Sequence, residues 1–254
     1  MIEHNATQRI PLYRIVRALT IPHRTGVARI ARLASDAAGV LHIITHTSYA
    51  FSIKSTGIEA RINAQVDVEK ITELRNRLRA TDALTVYVNQ VADYLLFGWN
   101  ESESFTLGLR RGDTYPSPAL GVFLRGPLYE FVLPAWEWYR CTESVPIKAR
   151  DVLELCTSDG MLRIYLRGRR LDSPVKAQNE VQIHTSHDRQ LHTFVSARCF
   201  DAIIRDLDVN AVVLQSRRPS DPLMPLLMRA PDGRDTHALA PMASAESGET
   251  KAHQ

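Results

Sequence analysis

At 254 residues, 44% apolar and 23% charged, with 12 glycines and 13 prolines, the chain has the make-up of one or two folded domains, which excludes disordered and collagen-like classes. A chain of this length can bury a core without disulfide or metal staples. Its three cysteines, Cys141, Cys156 and Cys199, are an odd number without CxxC spacing, so they point to free thiols in a reducing compartment. The formal net charge of +3, from 31 basic and 28 acidic residues, is too small to argue for nucleic acid by itself. Most of the cations are arginine, which favours bidentate contact with phosphate or carboxylate.

The opening MIEHNATQRI is polar, and no segment reaches the roughly 18 apolar residues of a membrane helix, so a cytoplasmic chain without a membrane partner is expected. From Pro11 to Leu19, Leu12, Ile15, Val16 and Leu19 fall at helical spacing with Arg14 and Arg17 between them, and Pro11 suits a first turn. Gly26 to Ser35 and Val40 to Lys54 alternate about a turn at Asp36 to Gly39, as paired strands do, and Ile58 to Val66 reads as another strand. Asp67 then stands where it can cap a helix whose inward positions are Val68, Ile71, Leu74 and Leu78, leaving Glu69, Lys70, Arg75, Arg77 and Arg79 outside the stripe. Leu84 to Asn89, Tyr94 to Trp99 and Phe105 to Arg110 are three short strand-like runs.

Four prolines and two glycines punctuate Pro116 to Pro134, the expected linker, and Trp136 to Tyr139 fits strand and helix alike. Strands are expected at Asp151 to Leu155, Met161 to Arg167, Val181 to His184 and Leu191 to Val195. Ser196 caps a second helix with Cys199, Phe200, Ile203, Ile204 and Leu207 inward, and strands follow at Ala211 to Gln215, Leu223 to Arg229 and Thr236 to Ala240. The two halves thus repeat one order, strands, a helix of about a dozen residues and three more strands, with Ile71 and Phe200 offset by 129 positions. The fold class expected is α+β in two repeated domains, residues 1–118 and 119–242, and the nearly apolar-free 243–254 is expected to be a disordered tail.

Several segments resemble the bacterial DNA sliding clamp, the β subunit of DNA polymerase III. FVSARCFDAIIRDLD is similar to the last clamp helix, NAVVLQSRRPSDPLMPLLMRAPDG to the hairpin after it, and THALAPM to the closing strand with its proline and methionine. LHIITHTSYAFSIKS, VDVEKITELRNRL, LTVYVNQVADYLLFGW and RRGDTYPSP resemble the middle clamp domain. Two departures stand out: the bacterial subunit carries three domains where this chain has room for two, and its usual Asp-Gly-His-Arg is replaced here by Thr47, Ser48, Tyr49 and Ala50.

The resemblance implies antiparallel sheets with inward-facing helices, no catalysis, no cofactor and no metal. It implies duplex DNA held through phosphate contacts that ignore base sequence, from Arg14, Arg17, Lys70, Arg75, Arg77, Arg79, Arg198 and Arg205. It also implies a groove for polymerase or replication-protein peptides built from Phe51, Pro116, Leu239, Pro241 and Met242, and a homo-oligomer. A dimer of two-domain chains cannot make a six-domain ring, whereas a trimer can. Two other readings stand beside this one: a clamp-fold adaptor that does not encircle DNA, and a small hydrolase or nuclease using His184, His187, Asp188 and His192 with Glu180 and Cys199 nearby. The histidine spacing matches no strong zinc pattern, and a polar hairpin explains it more cheaply.

Overall fold

Alternating apolar residues give each strand one dry face, and two such sheets with helices against them can enclose a core. A computed structural model of the protein describes residues 7–21, 29–47, 50–91, 93–110, 129–183, 189–221, 224–233 and 235–242. The chain forms two units, Met1–Thr47 with Phe51–Pro116, and Ser48–Ala50 with Ser117–Gln254.

In the first unit β1 (Gln8–Pro11) leads into α1 (Leu12–Leu19), followed by β2 (Ile30–Ser35), β3 (Val40–His46), β4 (Ala50–Glu59) and β5 (Asn63–Asp67). Then come α2 (Val68–Arg79), β6 (Thr85–Val91), β7 (Tyr94–Gly98) and β8 (Ser104–Gly108). The strands pair antiparallel in the orders β1-β6-β7-β8 and β5-β2-β3-β4. Register sets Ile10 opposite Val86, Val88 opposite Phe97 and Leu95 opposite Leu107. These side chains are buried in one cluster with Leu33 and Leu41, Ile15 of α1, and Ile71, Leu74 and Leu78 of α2. Each such burial contributes roughly 1.5–3 kcal/mol, which is why the periodicity of α2 was readable from sequence.

The second unit begins with β9 (Tyr129–Pro134) and α3 (Ala135–Thr142), then β10 (Val152–Ser158), β11 (Met161–Arg167), β12 (Val175–Gln182) and β13 (His192–Ser196). It continues through α4 (Ala197–Leu207), β14 (Ala211–Ser216), β15 (Leu226–Arg229) and β16 (Asp235–Leu239). Its orders are β9-β14-β15-β16 and β13-β10-β11-β12. β10 and β11 are joined by Asp159 and Gly160, both at positive φ (52° and 73°), the backbone a two-residue hairpin loop requires. Trp138 meets Phe200 edge-on at 5.0 Å in the core. Among the described residues both units therefore run through strand, helix, four strands, helix, three strands, and β9, β14, β15 and β16 take the places of β1, β6, β7 and β8. The expected α+β repeat is what the chain forms.

Several elements depart from expectation. β1 and β9 were not foreseen, and β9 occupies the end of the supposed linker Pro116 to Pro134. Each is short and ends in proline, so composition hid it: Pro11 and Pro134 close a strand and stand at the N-cap of the helix that follows. Trp136 to Tyr139 is helical. Val40 to Lys54 is two strands with a break after His46, and Ile58 to Val66 divides between β4 and β5. β12 begins at Val175, six residues ahead of the expected Val181; its burial alternates only weakly, as on a sheet edge. Asp67 occupies the N-cap of α2, but its carboxylate does not cap the helix and instead accepts from Arg110 at 2.8 Å. Ser196 does cap, its hydroxyl accepting from the Cys199 backbone N–H at 3.3 Å. Leu223, Pro116 and the tail 243–254 lie outside the described residues.

Candidate nucleic-acid interface

Helix α2 supplies the densest set of cations because its apolar positions, three or four apart, turn the remaining side chains to water. Lys70, Arg77 and Arg79 are exposed on it. Glu73 sits between the first two, accepting from Lys70 Nζ at 2.8 Å and Arg77 at 3.1 Å, and the Lys70 hydrogen bond holds its carboxyl below the usual range. Arg77 also lies 5.3 Å from the Phe105 ring centroid, while Arg79 extends from the last turn where the helix dipole favours a cation. Arg75 departs from the set: it is only 4% exposed. The repeat gives the reason, because the 129-residue offset that superposes α2 on α4 brings Arg75 onto Ile204, a fully buried core position. Arg75 bonds Asn76 Oδ1 at 2.9 Å and does not belong to the exposed face assigned to it.

On α1, Arg14 and Arg17 are half-buried. The Arg14 guanidinium lies where a side chain at Gly57 would go and would have to swing aside for one, while the φ of +73° is what requires glycine there. Arg198 is exposed in the first turn of α4, and Arg205 is exposed in its last turn, bonded to Asp201 at 2.9 Å. Asp206 and Asp208 stand where α2 carries Arg77 and Arg79, so the cationic helix face belongs mainly to the first unit.

A second group was missed because Trp136 to Tyr139 gave no clear period. In α3, Ala135, Trp138 and Cys141 are buried, which turns Trp136, Tyr139 and Arg140 outward. Arg140 stands 5.2 Å from the Trp136 ring centroid and Arg205 5.4 Å from that of Tyr139. These four line one shallow depression with Thr142 and Glu143. Burial raises the Tyr139 phenol above its ordinary value, so it is neutral at physiological pH.

Of the expected peptide groove, Phe51 is half-buried in β4, and Pro241 and Met242 are half-buried beyond β16, with the Met242 N–H donating to Phe194 O at 2.7 Å. Leu239 is fully buried in the second unit's core and offers no exposed surface. Ser48 and Tyr49, like Pro116, fall outside the described residues. His192 bonds Glu154 at 3.1 Å, and Glu154 in turn pairs with Arg167 at 2.7 Å; Glu180 pairs with Arg163 at 3.0 Å. His184, His187 and Asp188 are outside the described residues, among which no group of three His, Cys, Asp or Glu is placed to hold a metal. Burial raises the thiol pKa of Cys141, Cys156 and Cys199, which makes them poor nucleophiles. Among the described residues no helix is long and apolar enough to cross a membrane.

The duplicated topology aligns with solved DNA polymerase III β subunits. The Pseudomonas aeruginosa sliding clamp matches at TM-score 0.69 and 17% identity over 96% of this chain and 68% of its own. The Thermotoga maritima β subunit matches at 0.70 and 12% over 96% and 67%, and the Caulobacter crescentus β sliding clamp at 0.67 and 14% over 96% and 67%. The chain has the sliding-clamp fold. It spans about two thirds of the length of those clamp chains. No family model matches it, and no curated protein matches it in sequence. At 12–17% identity the clamp likeness lies in the path of the backbone, with most side chains exchanged.

Proposed function

We propose that this protein is a DNA-associated scaffold of the clamp type, without catalysis of its own, which holds duplex through phosphate contacts from its helices and recruits replication proteins. The observation that carries the reading is the repeat: two units with one order of elements, together matching solved sliding clamps over 96% of the chain. Exposed Lys70, Arg77, Arg79 and Arg198 supply the cations, with Arg14, Arg17 and Arg205 as partly engaged auxiliaries. Attraction of this kind is insensitive to base sequence and falls with salt, as a sliding contact requires. Peptide recruitment would use Phe51, Pro116, Pro241 and Met242.

Measuring duplex affinity against salt tests it. The log–log slope should be steep, and Arg79→Glu should flatten it by about one to two units, as expected when a phosphate contact is replaced by repulsion. No duplex binding at low salt would overturn the reading. A second reading, a clamp-fold adaptor that does not encircle DNA, is favoured by one observation: Arg75 is buried, and Lys70, Arg77 and Arg205 already have carboxylate partners. Under that reading Arg79→Glu leaves partner binding unchanged and the protein does not form closed rings.

A further inference from the structure

Helix α3 carries chemistry that phosphate contact does not use. Trp136 is 56% exposed, unusual for an indole, and beside it stand Tyr139 at 37% and the guanidinia of Arg140 and Arg205, each over a ring. Both arginines are largely neutralised: Arg140 by Glu137 at 2.8 Å, Arg205 by Asp201 at 2.9 Å, and Glu143 lines the same depression. The depression is thus rich in rings and close to neutral, unlike the cationic face of α2. The first unit repeats part of the pattern. With α1 laid on α3 by their first residues, Tyr13 (72% exposed) falls on Trp136 and Arg17 on Arg140. An exposed ring kept at the same place in two units of otherwise different sequence suits a ligand that itself repeats.

We propose that Trp136 and Tyr139, with the guanidinia of Arg140 and Arg205, form a stacking platform for an unpaired nucleobase, so that the second unit favours single-stranded or junction DNA over uninterrupted duplex. Rings and guanidinium planes both stack on bases, and every base has a π face. The inference deepens the DNA reading in taking nucleic acid as the ligand; it shares Arg205 with the duplex contacts, while Trp136, Tyr139 and Arg140 are not among them. Trp, Tyr and Arg also dominate protein–protein hot spots, which makes a protein occupant the competing outcome.

Tryptophan fluorescence isolates the site, because of the three tryptophans Trp99 is 7% exposed and Trp138 fully buried. The unsubstituted protein is titrated with oligothymidylate, with blunt duplex, and with a duplex bearing a single-stranded overhang. Oligothymidylate and the overhang should quench the emission, and blunt duplex should leave it nearly unchanged. Read by anisotropy of labelled DNA, which does not depend on the substituted fluorophore, Trp136→Ala should weaken single-strand affinity by about tenfold, Trp136→Phe should restore most of it, and neither should change blunt-duplex affinity. Arg79→Glu should do the reverse. Blunt-duplex binding with no quenching by any single strand overturns the platform and leaves the scaffold reading standing. Quenching by single strands without duplex binding keeps the platform and removes the scaffold reading. A concentration-dependent blue shift of Trp136 without DNA marks an interface between protein copies and also overturns the platform.

Discussion

Arg75 and Arg79 are one turn apart on α2 and illustrate how two arginines of one helix come to different physical tasks. Arg79 is exposed in the last turn, so Arg79→Glu should cost about 1 kcal/mol or less through the helix dipole while weakening duplex binding. Arg75 takes the place of a core isoleucine in the repeat and is 4% exposed, so Arg75→Glu puts a carboxylate into a site built around a guanidinium. That exchange should cost about 3 kcal/mol or more, seen as a lower denaturant midpoint, and any loss of DNA affinity should follow the unfolded fraction. Gly57 makes a parallel case: at φ +73° under the Arg14 guanidinium, Gly57→Ala should cost about 1–3 kcal/mol in a melt. None of this was legible in the residue string. A spacing of three and four marks the centre of a buried stripe, but a long side chain at its border can be drawn in by neighbours that only the tertiary structure supplies.

The helices among the described residues differ in how they are held at their starts, and that difference is measurable. Ser196 bonds the Cys199 N–H, so Ser196→Ala should lower stability by about 1 kcal/mol. Asp67, at the same point of α2, spends its carboxylate on exposed Arg110, so Asp67→Ala should cost less, within about 0.5–1 kcal/mol; paired melts decide. Glu73 adds a pH dependence to α2. Its folded-state pKa lies below the ordinary 4.5, so the stabilisation is present above that value and is lost as pH falls through the lower, folded one. Protonation also releases Lys70 and Arg77 toward a ligand. Resonance titration should find Glu73 displaced downward, and Lys70→Ala, removing the largest cause, should return it toward the ordinary value. Sequence revealed α2 and α4 because each buries a stripe of aliphatic or aromatic residues at helical period. It did not reveal α3, where Trp136, Trp138 and Tyr139 place large rings on both faces and erase the contrast between inside and outside. The stacking surface therefore stayed hidden, while the α2 cations were apparent.

At the scale of the molecule, the repeat was visible in sequence because both units keep a helix of similar length followed by three strands, and the 129-residue offset survives where side-chain identity does not. What the repeat leaves to be decided is assembly. Within their own units, β8 and β12 each end a run of paired strands, and β12 is eight residues long with most of its side chains exposed. An edge of that length exposes backbone donors and acceptors to any strand that can align with them, and Lys176 and Glu180 on β12 are the kind of charges that discourage indiscriminate pairing while permitting a matched partner. If copies of the chain join edge to edge, a six-domain ring needs three of them at two units each. Light scattering should then give three times the 28.6 kDa protomer mass, independent of dilution over the range where the ring is closed. A dimer would bring four units and could not close a ring of six. A persistent monomer would leave the helices without a shared enclosure, turn the duplex contact into an open one that linear DNA ends cannot influence, and transfer support to the adaptor reading.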